Sequence, residues 1–112
     1  MSPLPITIRD AATGPVLEIT GDLDHHTAPE LCTAMDGLTV AAGQLLVLDL
    51  AGLDFCDSSG ISALLSARSL AVEKDAGIAL AAVPANPARI LGIVGLDQVF
   101  AIHPDAAAAT AR

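Results

Sequence analysis

Apolar and polar positions along the first third of the chain predict two strands followed by a helix. Residues 6–9 and 16–20 are typical of short strands, and the turn-forming sequence AATG lies between them, which predicts an antiparallel hairpin. Thr27 with Glu30 three residues later predicts a capping box at the start of the first helix. Beyond it, apolar residues recur at helical spacing, namely at Ala28, Leu31, Cys32, Met35 and Leu38.

Strand and helix patterns then alternate through the rest of the chain. Residues 45–50 are a continuous apolar run broken only by Asp49, which is typical of a strand covered on both faces. Helical spacing returns from Ile61 to about Lys74, and Gly77 is expected to stop that helix. Further predicted elements are a buried strand at 78–83, a helix at 87–94, an edge strand at 99–102 and a terminal helix in DAAAATAR. This alternation predicts a largely parallel sheet with helices packed on it.

Composition and charge narrow the classes of function. A length of 112 residues with 53% hydrophobic residues suits a single domain, which we expect to span residues 1–112. Five basic residues stand against thirteen acidic ones, and the net charge of −8 disfavours direct nucleic-acid binding. A partner with a basic face is favoured instead.

The lack of a recognisable targeting signal and the spacing of the cysteines favour a cytoplasmic protein. The first ten residues lack a basic segment followed by a long apolar stretch, so no secretion signal is expected. The apolar region at 77–96 is interrupted by prolines, an asparagine and an arginine, so no membrane span is expected. Cys32 and Cys56 have no CxxC spacing, no disulfide is expected, and Cys32 is interpreted as a core residue.

The stretch FCDSSGISALL places two serines where a buried strand passes into a helix. Asp57 and Ser58 are both good helix caps, and DSSG alone is typical of a capped helix. The same position suits an anion, because a phosphate on Ser58 would face free backbone N–H groups at the positive end of the helix dipole. Asp54 and Asp57 would repel that phosphate, so little change in fold and a large change in surface potential are expected.

Enzymatic and metal chemistry find weaker support in the sequence. A nucleophilic serine needs a positioned base, yet the G-x-S-x-G elbow is absent and no spacing brings a histidine to Ser58. The sequence DLDHH at 22–26 gathers two carboxylates and two imidazoles, but neighbours in a turn point in different directions. We therefore expect no enzyme activity, no metal and no cofactor, and we interpret these two carboxylates and two imidazoles as exposed residues that a partner contacts.

Two motifs in this order resemble a known family. GDLDHHTA at 21–28 followed by LVLDLAGLDFCDSSGISALL at 46–65 is similar to the STAS domain, and most similar to bacterial anti-sigma factor antagonists of the sporulation and general-stress type. The likeness extends from the first hairpin to about Phe100. It implies an α/β fold with a STAS-like mixed sheet of four to five strands, an N-terminal hairpin and about four helices mainly on one face.

The resemblance also implies a function and its residues. Ser58 would accept phosphate from a cognate anti-sigma factor, a serine kinase with a GHKL-type ATP site, and a PP2C-type phosphatase would remove it. Unphosphorylated, the antagonist would bind the anti-sigma factor and free its sigma factor. The residues that match the family are Asp57, Ser59 and Gly60 around the phosphoacceptor, and Asp22, Asp24, His25, His26 and Thr27 in the nearby partner-binding loop.

The chain departs from the family pattern at two positions, and one alternative function stays open. Asp22 stands where the family usually has glutamate, and Cys56 replaces a residue that is commonly larger and aliphatic. The alternative is a non-phosphorylated STAS scaffold or small-ligand-binding domain of a signalling assembly, in which DSSG only caps the second helix.

Overall fold

The computed structural model describes residues 6–110, which form one five-stranded sheet and four α-helices. The strands are β1 (Ile6–Ala11), β2 (Gly14–Leu23), β3 (Leu45–Cys56), β4 (Gly77–Ala81) and β5 (Ala101–His103). The helices are α1 (Ala28–Asp36), α2 (Ser58–Glu73), α3 (Ala85–Ile93) and α4 (Ala106–Thr110), with a short 3-10 turn at Leu96–Gln98. No helix in this part of the chain has the length and apolar character needed to cross a membrane.

The sheet is mixed, and its spatial order follows the chain. β1 and β2 pair antiparallel with Ile6 opposite Ile19, which confirms the predicted opening hairpin. The three remaining pairings, β2 with β3, β3 with β4 and β4 with β5, are parallel. Parallel neighbours end at the same edge of the sheet, so the loops that follow β2 and β3 lie beside each other.

Three helices cover one face of the sheet and the fourth covers part of the other. Side chains along β3 alternate: Leu46, Leu48 and Leu50 lie in the main core, and Val47 points to the opposite face. The main core also takes its buried residues from α1, α2 and α3, including Leu31, Met35, Ile61, Leu64 and Leu91. The second cluster contains Val16, Val47 and Ala81 under Ala106 and Ala109 of α4. The expectation of helices mainly on one face is confirmed.

Several elements begin or end away from the predicted residues. β3 continues past Leu50 to Cys56 because its pairing with β2 persists beyond register shifts after Glu18 and Gly21, which break the alternating pattern. β4 ends at Ala81, because Ala82 takes a left-handed conformation with φ of 54°.

The end of α2 differs from the prediction. Gly77 does not stop this helix: α2 ends at Glu73, Asp75 takes the left-handed conformation with φ of 57°, and Gly77 is the first residue of β4. Lys74 follows the last helical residue, and its ammonium donates a hydrogen bond to the Leu38 carbonyl at 3.1 Å. That bond joins the end of α2 to the segment that leaves α1.

Candidate phosphoacceptor and partner-binding site

The two sequence motifs meet at the carboxyl ends of β2 and β3. The parallel register pairs Asp22 with Phe55 and Leu23 with Cys56. Directly beyond, the Asp57 N–H donates a hydrogen bond to the Leu23 carbonyl at 3.3 Å. The loop after β2 and the DSSG stretch after β3 are therefore neighbours at one edge of the sheet, where functional groups of α/β proteins commonly gather.

Asp57 caps α2. Its carboxylate accepts a hydrogen bond from the Gly60 N–H at 3.1 Å, and its carbonyl accepts the first helical bond, from the Ile61 N–H at 3.0 Å. Asp57 has the extended backbone conformation of an N-cap residue. Of the two candidate caps, Asp57 is the one used, so Ser58 is the first residue of the helix.

The Ser58 side chain is exposed, and its hydroxyl makes no hydrogen bond to any residue between 6 and 110. Ser59, one position later, is half-buried and turns toward α1. The helix supplies no acceptor for the N–H groups of its first turn, and Asp57 already occupies that of Gly60. A phosphate on Ser58 therefore meets fewer free N–H groups than an uncapped helix start would offer, with the Asp57 carboxylate beside it.

Gly60 is required by the close packing of α2 on the end of β2. A Cβ atom at this position would lie 2.5 Å from the Leu23 carbonyl oxygen and 2.7 Å from the Cys56 sulfur. Both distances are shorter than a real Cβ contact, so a side chain here would push α2 away from the sheet. The glycine of the motif has a packing role.

Cys56 fills the space under the start of α2. Its side chain is 3% exposed, and its thiol donates a weak hydrogen bond to the Asp57 carbonyl at 3.7 Å. Burial, together with the nearby Asp57 charge, raises the pKa of the Cys56 thiol from 9.0 to about 11. The thiol stays protonated at neutral pH and is a poor nucleophile.

Asp24 and Thr27 hold the loop after β2 in place. The Asp24 carboxylate accepts hydrogen bonds from the N–H groups of His26 at 2.9 Å and Thr27 at 3.1 Å. The Thr27 hydroxyl donates to the Asp22 carbonyl at 2.7 Å and accepts from the Asp24 N–H at 2.9 Å. Partial desolvation raises the pKa of Asp24, but the hydrogen bonds from Thr27 and His26 and the His26 charge lower it overall below its ordinary value of 3.8.

The predicted capping role of the Thr27 side chain is wrong. Thr27 does stand at the N-cap position of α1, but its side chain makes no capping hydrogen bond, because the hydroxyl is directed back to Asp22. Thr27 is also buried, whereas Asp22, His25 and His26 are exposed. The two imidazole rings lie with their centroids 3.9 Å apart. The exposed side chains of the loop are therefore one carboxylate and two imidazoles.

A groove between α1 and α2 begins at this loop. Its volume is about 520 Å³, and its lining residues include His25, Cys32, Ser59, Ser62 and Ser66. Cys32 is half-buried in this groove and is not a full core residue. Small side chains on the facing sides of α1 and α2 are the only sequence signal of the groove, and the same signal occurs at close helix contacts.

Phe55 is a surface residue to which the sequence patterns assigned no role. It is 50% exposed and lies beside Asp22 at the end of β3. The signal that could have found it is the sequence DFC, where an aromatic residue stands directly before the buried Cys56.

The fold and the site together define a small mixed α/β domain that presents a serine at a strand-to-helix junction. Residues 6–103 match the family model described as "Mlab, STAS domain". The chain belongs to the STAS domain family, as its two motifs indicated.

Relatives of the chain include proteins named as anti-sigma factor antagonists. An anti-sigma F factor antagonist from Paenibacillus polymyxa is 30% identical over 89 residues, covering 79% of this chain and 76% of the relative. An anti-sigma-B factor antagonist from Listeria monocytogenes is 25% identical over 84 residues, covering 75% of this chain and 74% of the relative. The crystal structure of an anti-sigma factor antagonist from Mycobacterium paratuberculosis superimposes with a TM-score of 0.80 at 23% identity, covering 92% of this chain and 87% of that one. This structural likeness shows the same fold.

Proposed function

We propose that this protein is an anti-sigma factor antagonist switched off by phosphorylation of Ser58. In the unphosphorylated state it binds a cognate anti-sigma factor, a serine kinase with a GHKL-type ATP site, and so releases a sigma factor in the cytoplasm. The kinase phosphorylates Ser58 and the complex dissociates. A PP2C-type phosphatase restores the binding form. The names of the relatives support the class of function.

One observation carries the proposal: the Ser58 hydroxyl is exposed and makes no hydrogen bond within residues 6–110. Because Asp57 caps the helix, neither the cap nor the core uses this hydroxyl. A kinase can reach it, and its modification leaves the hydrogen bonds of the helix start in place. Ser59 lacks this accessibility because it is half-buried in the α1–α2 groove.

The charges around Ser58 support the control of partner binding by phosphorylation. A phosphate adds about −1.5 to −2 charge directly beside Asp57, where the exposed Asp22 and Asp54 already make the edge anionic. In a close interface an unmatched dianion costs at least about 2–5 kcal/mol. That cost corresponds to binding weaker by roughly 30-fold to several thousand-fold.

The proposed interface with the anti-sigma factor also gives roles to the residues of the loop after β2. Asp22, His25 and His26 are exposed side chains of the loop that neighbours the start of α2, and we assign them direct contact with the anti-sigma factor. Asp24 and Thr27 act by holding the loop in its conformation.

A phosphorylation experiment tests the proposal. The chain is incubated with ATP and each GHKL-type serine kinase of its own genome, and the phosphorylated residue is located by mass spectrometry. We expect modification of the unaltered chain and of Ser59→Ala, and none of Ser58→Ala. Phosphate on Ser59, or equal affinity of Ser58→Ala and Ser58→Asp for the anti-sigma factor, would contradict the switch.

The same experiment tests the alternative of a scaffold or ligand-binding domain. The α1–α2 groove favours that alternative, since its volume of about 520 Å³ suits a small molecule. Native mass spectrometry of the purified chain would then show a bound ligand while no kinase modifies Ser58. Loss of that ligand in Ser62→Phe, which narrows the groove, would support the ligand-binding function over the switch.

A further inference from the structure

Within residues 6–110, the second face of the sheet is buried under α4 at one end and exposed at the other. Along β2 the side chains on this face belong to Val16, Glu18, Thr20 and Asp22, and each is paired in register with a residue of β3. The pair Val16–Val47 is buried under α4. The pairs Thr20–Gly52 and Asp22–Phe55 are exposed, and we call these four residues the open face.

Phe55 is the apolar side chain of the open face. The last pair of the ladder, Leu23 with Cys56, lies in the main core, whereas the pair before it, Asp22 with Phe55, is exposed and so points away from that core. The chain has two phenylalanines: Phe100 is 3% exposed, whereas Phe55 is 50% exposed. Phe55 also precedes Ser58 by only three residues, at the same edge of the sheet.

The surroundings of Phe55 carry one sign of charge. Asp22 is its register partner, and the adjacent Asp54 is exposed. In the sequence no lysine or arginine occurs between Arg9 and Arg68, so neither the loop after β2 nor the end of β3 contributes a permanent cation. An aromatic side chain with carboxylates around it complements an apolar pocket bordered by lysine or arginine.

We propose that Phe55 is the apolar anchor with which the open face docks on the anti-sigma factor kinase. This inference rests on the proposed function and specifies its interface. Phe55 inserts into an apolar pocket of the kinase, and basic residues at the border of that pocket pair with Asp22 and Asp54. Docking there holds Ser58 within reach of the kinase. The partner's cations are then engaged by carboxylates and do not neutralise a phosphate on Ser58.

Calorimetric titration of the kinase that binds the unaltered chain tests this anchor. We expect Phe55→Ala to weaken binding by about 30-fold or more, the size of effect typical of a central aromatic contact. Val72→Ala is the matched control, because Val72 is 56% exposed but lies at the far end of α2, and we expect a change of less than about twofold. Circular dichroism and Phe55→Leu separate lost docking from lost folding, since Phe55→Leu keeps an apolar side chain and part of the affinity.

A measurement on the unmutated chain gives an independent test. Because only two phenylalanines are present, their aromatic NMR signals are readily assigned. On addition of the kinase the Phe55 signals are expected to shift or broaden, while those of the buried Phe100 stay in place.

The outcomes distinguish this inference from the proposed function. Binding of Phe55→Ala within threefold of the unaltered chain, or unmoved Phe55 signals, would overturn the anchor while leaving the phosphorylation of Ser58 intact. Loss of binding in Phe55→Ala without phosphorylation of Ser58 would support the anchor and overturn the switch. A dimer in sedimentation that Phe55→Ala converts to monomer would assign the open face to a second copy and overturn the anchor.

Discussion

Gly60 approaches Leu23 so closely that a Cβ atom on the glycine would lie 2.5 Å from the Leu23 carbonyl oxygen. This contact sets the distance between the first turn of α2 and the end of β2. It thereby fixes the position of Ser58, which lies in the same helical turn.

Gly60→Ala is expected to destabilise the protein by about 1–3 kcal/mol, because the added methyl group meets backbone and a buried sulfur that have little room to move. Urea unfolding followed by circular dichroism measures the change. The control is Gly37→Ala, where the nearest atoms to a Cβ lie at 3.8 and 3.9 Å and the φ of −82° suits alanine. Equal stability of the two variants would contradict the packing role of Gly60.

Thr27→Val is expected to lower the free energy of unfolding by about 1–3 kcal/mol, because the Asp22 carbonyl and the Asp24 N–H both lose a partner. Thr33→Val is the matched control, since within residues 6–110 the exposed Thr33 hydroxyl bonds only to the Pro29 carbonyl of its own helix. We expect the control to change stability by less than about 0.5 kcal/mol. A Thr27→Val protein as stable as the control would show that this hydroxyl does not hold the loop.

Alkylation by iodoacetamide is expected to modify Cys32 before Cys56. The Cys56 thiol is buried and its pKa is raised to about 11, so little thiolate forms at neutral pH. A folded-state pKa above the unfolded value of 9.0 means that Cys56 stabilises the fold below pH 9 and that this contribution is lost as the pH rises toward about 11. Mass spectrometry of partially alkylated protein gives the order, and Cys32→Ser and Cys56→Ser verify each assignment. Equal rates at the two thiols would count against the buried position of Cys56.

Asp24 is expected to contribute to stability at neutral pH and to lose this contribution in acid. Hydrogen bonds from Thr27 and His26 outweigh desolvation and hold its pKa below the ordinary 3.8, so its contribution is present above that pH and disappears as the pH falls through the lowered pKa. The difference in unfolding free energy between the unaltered chain and Asp24→Asn should therefore shrink from about pH 7 to about pH 3. A difference that stays constant over this range would refute the assignment.

Ser58→Asp is expected to leave the unfolding free energy within about 1 kcal/mol of the unaltered chain, because the favourable helix-end position offsets repulsion from Asp57. Urea unfolding measures this, with Ser58→Ala as the uncharged control. A large destabilisation by Ser58→Asp alone would mean that a charge at this position acts by unfolding the helix start and not at the interface.

Strong periodic patterns made most of the fold predictable from the sequence. The apolar run at 45–50 and the helical spacing after Thr27 each depend on local repetition, and both elements are confirmed. The second half of β3 could not be predicted, because its pairing with β2 shifts register after Glu18 and Gly21 and the alternation of apolar residues is lost.

Within the site, the sequence predicted which segments meet but not how their side chains bond. A helix cap at this strand-to-helix junction was predicted, but the sequence did not decide between Asp57 and Ser58 as the residue that supplies it. The direction of the Thr27 hydroxyl could not be predicted either, because a capping box and a bond back to Asp22 require the same residue type. The α1–α2 groove depends on the spacing of two helices, which no local pattern encodes.

The position of α4 has a practical consequence for anyone who shortens this protein. Its two inward alanines shield Val16, Val47 and Ala81 from water, and the helix lies beyond residue 103, where the match to the family model stops. A fragment that ends at residue 103 would keep all five strands but would expose an apolar strip on the second face of the sheet. Exposed apolar strips of this kind promote aggregation. A shortened version of the protein should therefore retain residues 104–110.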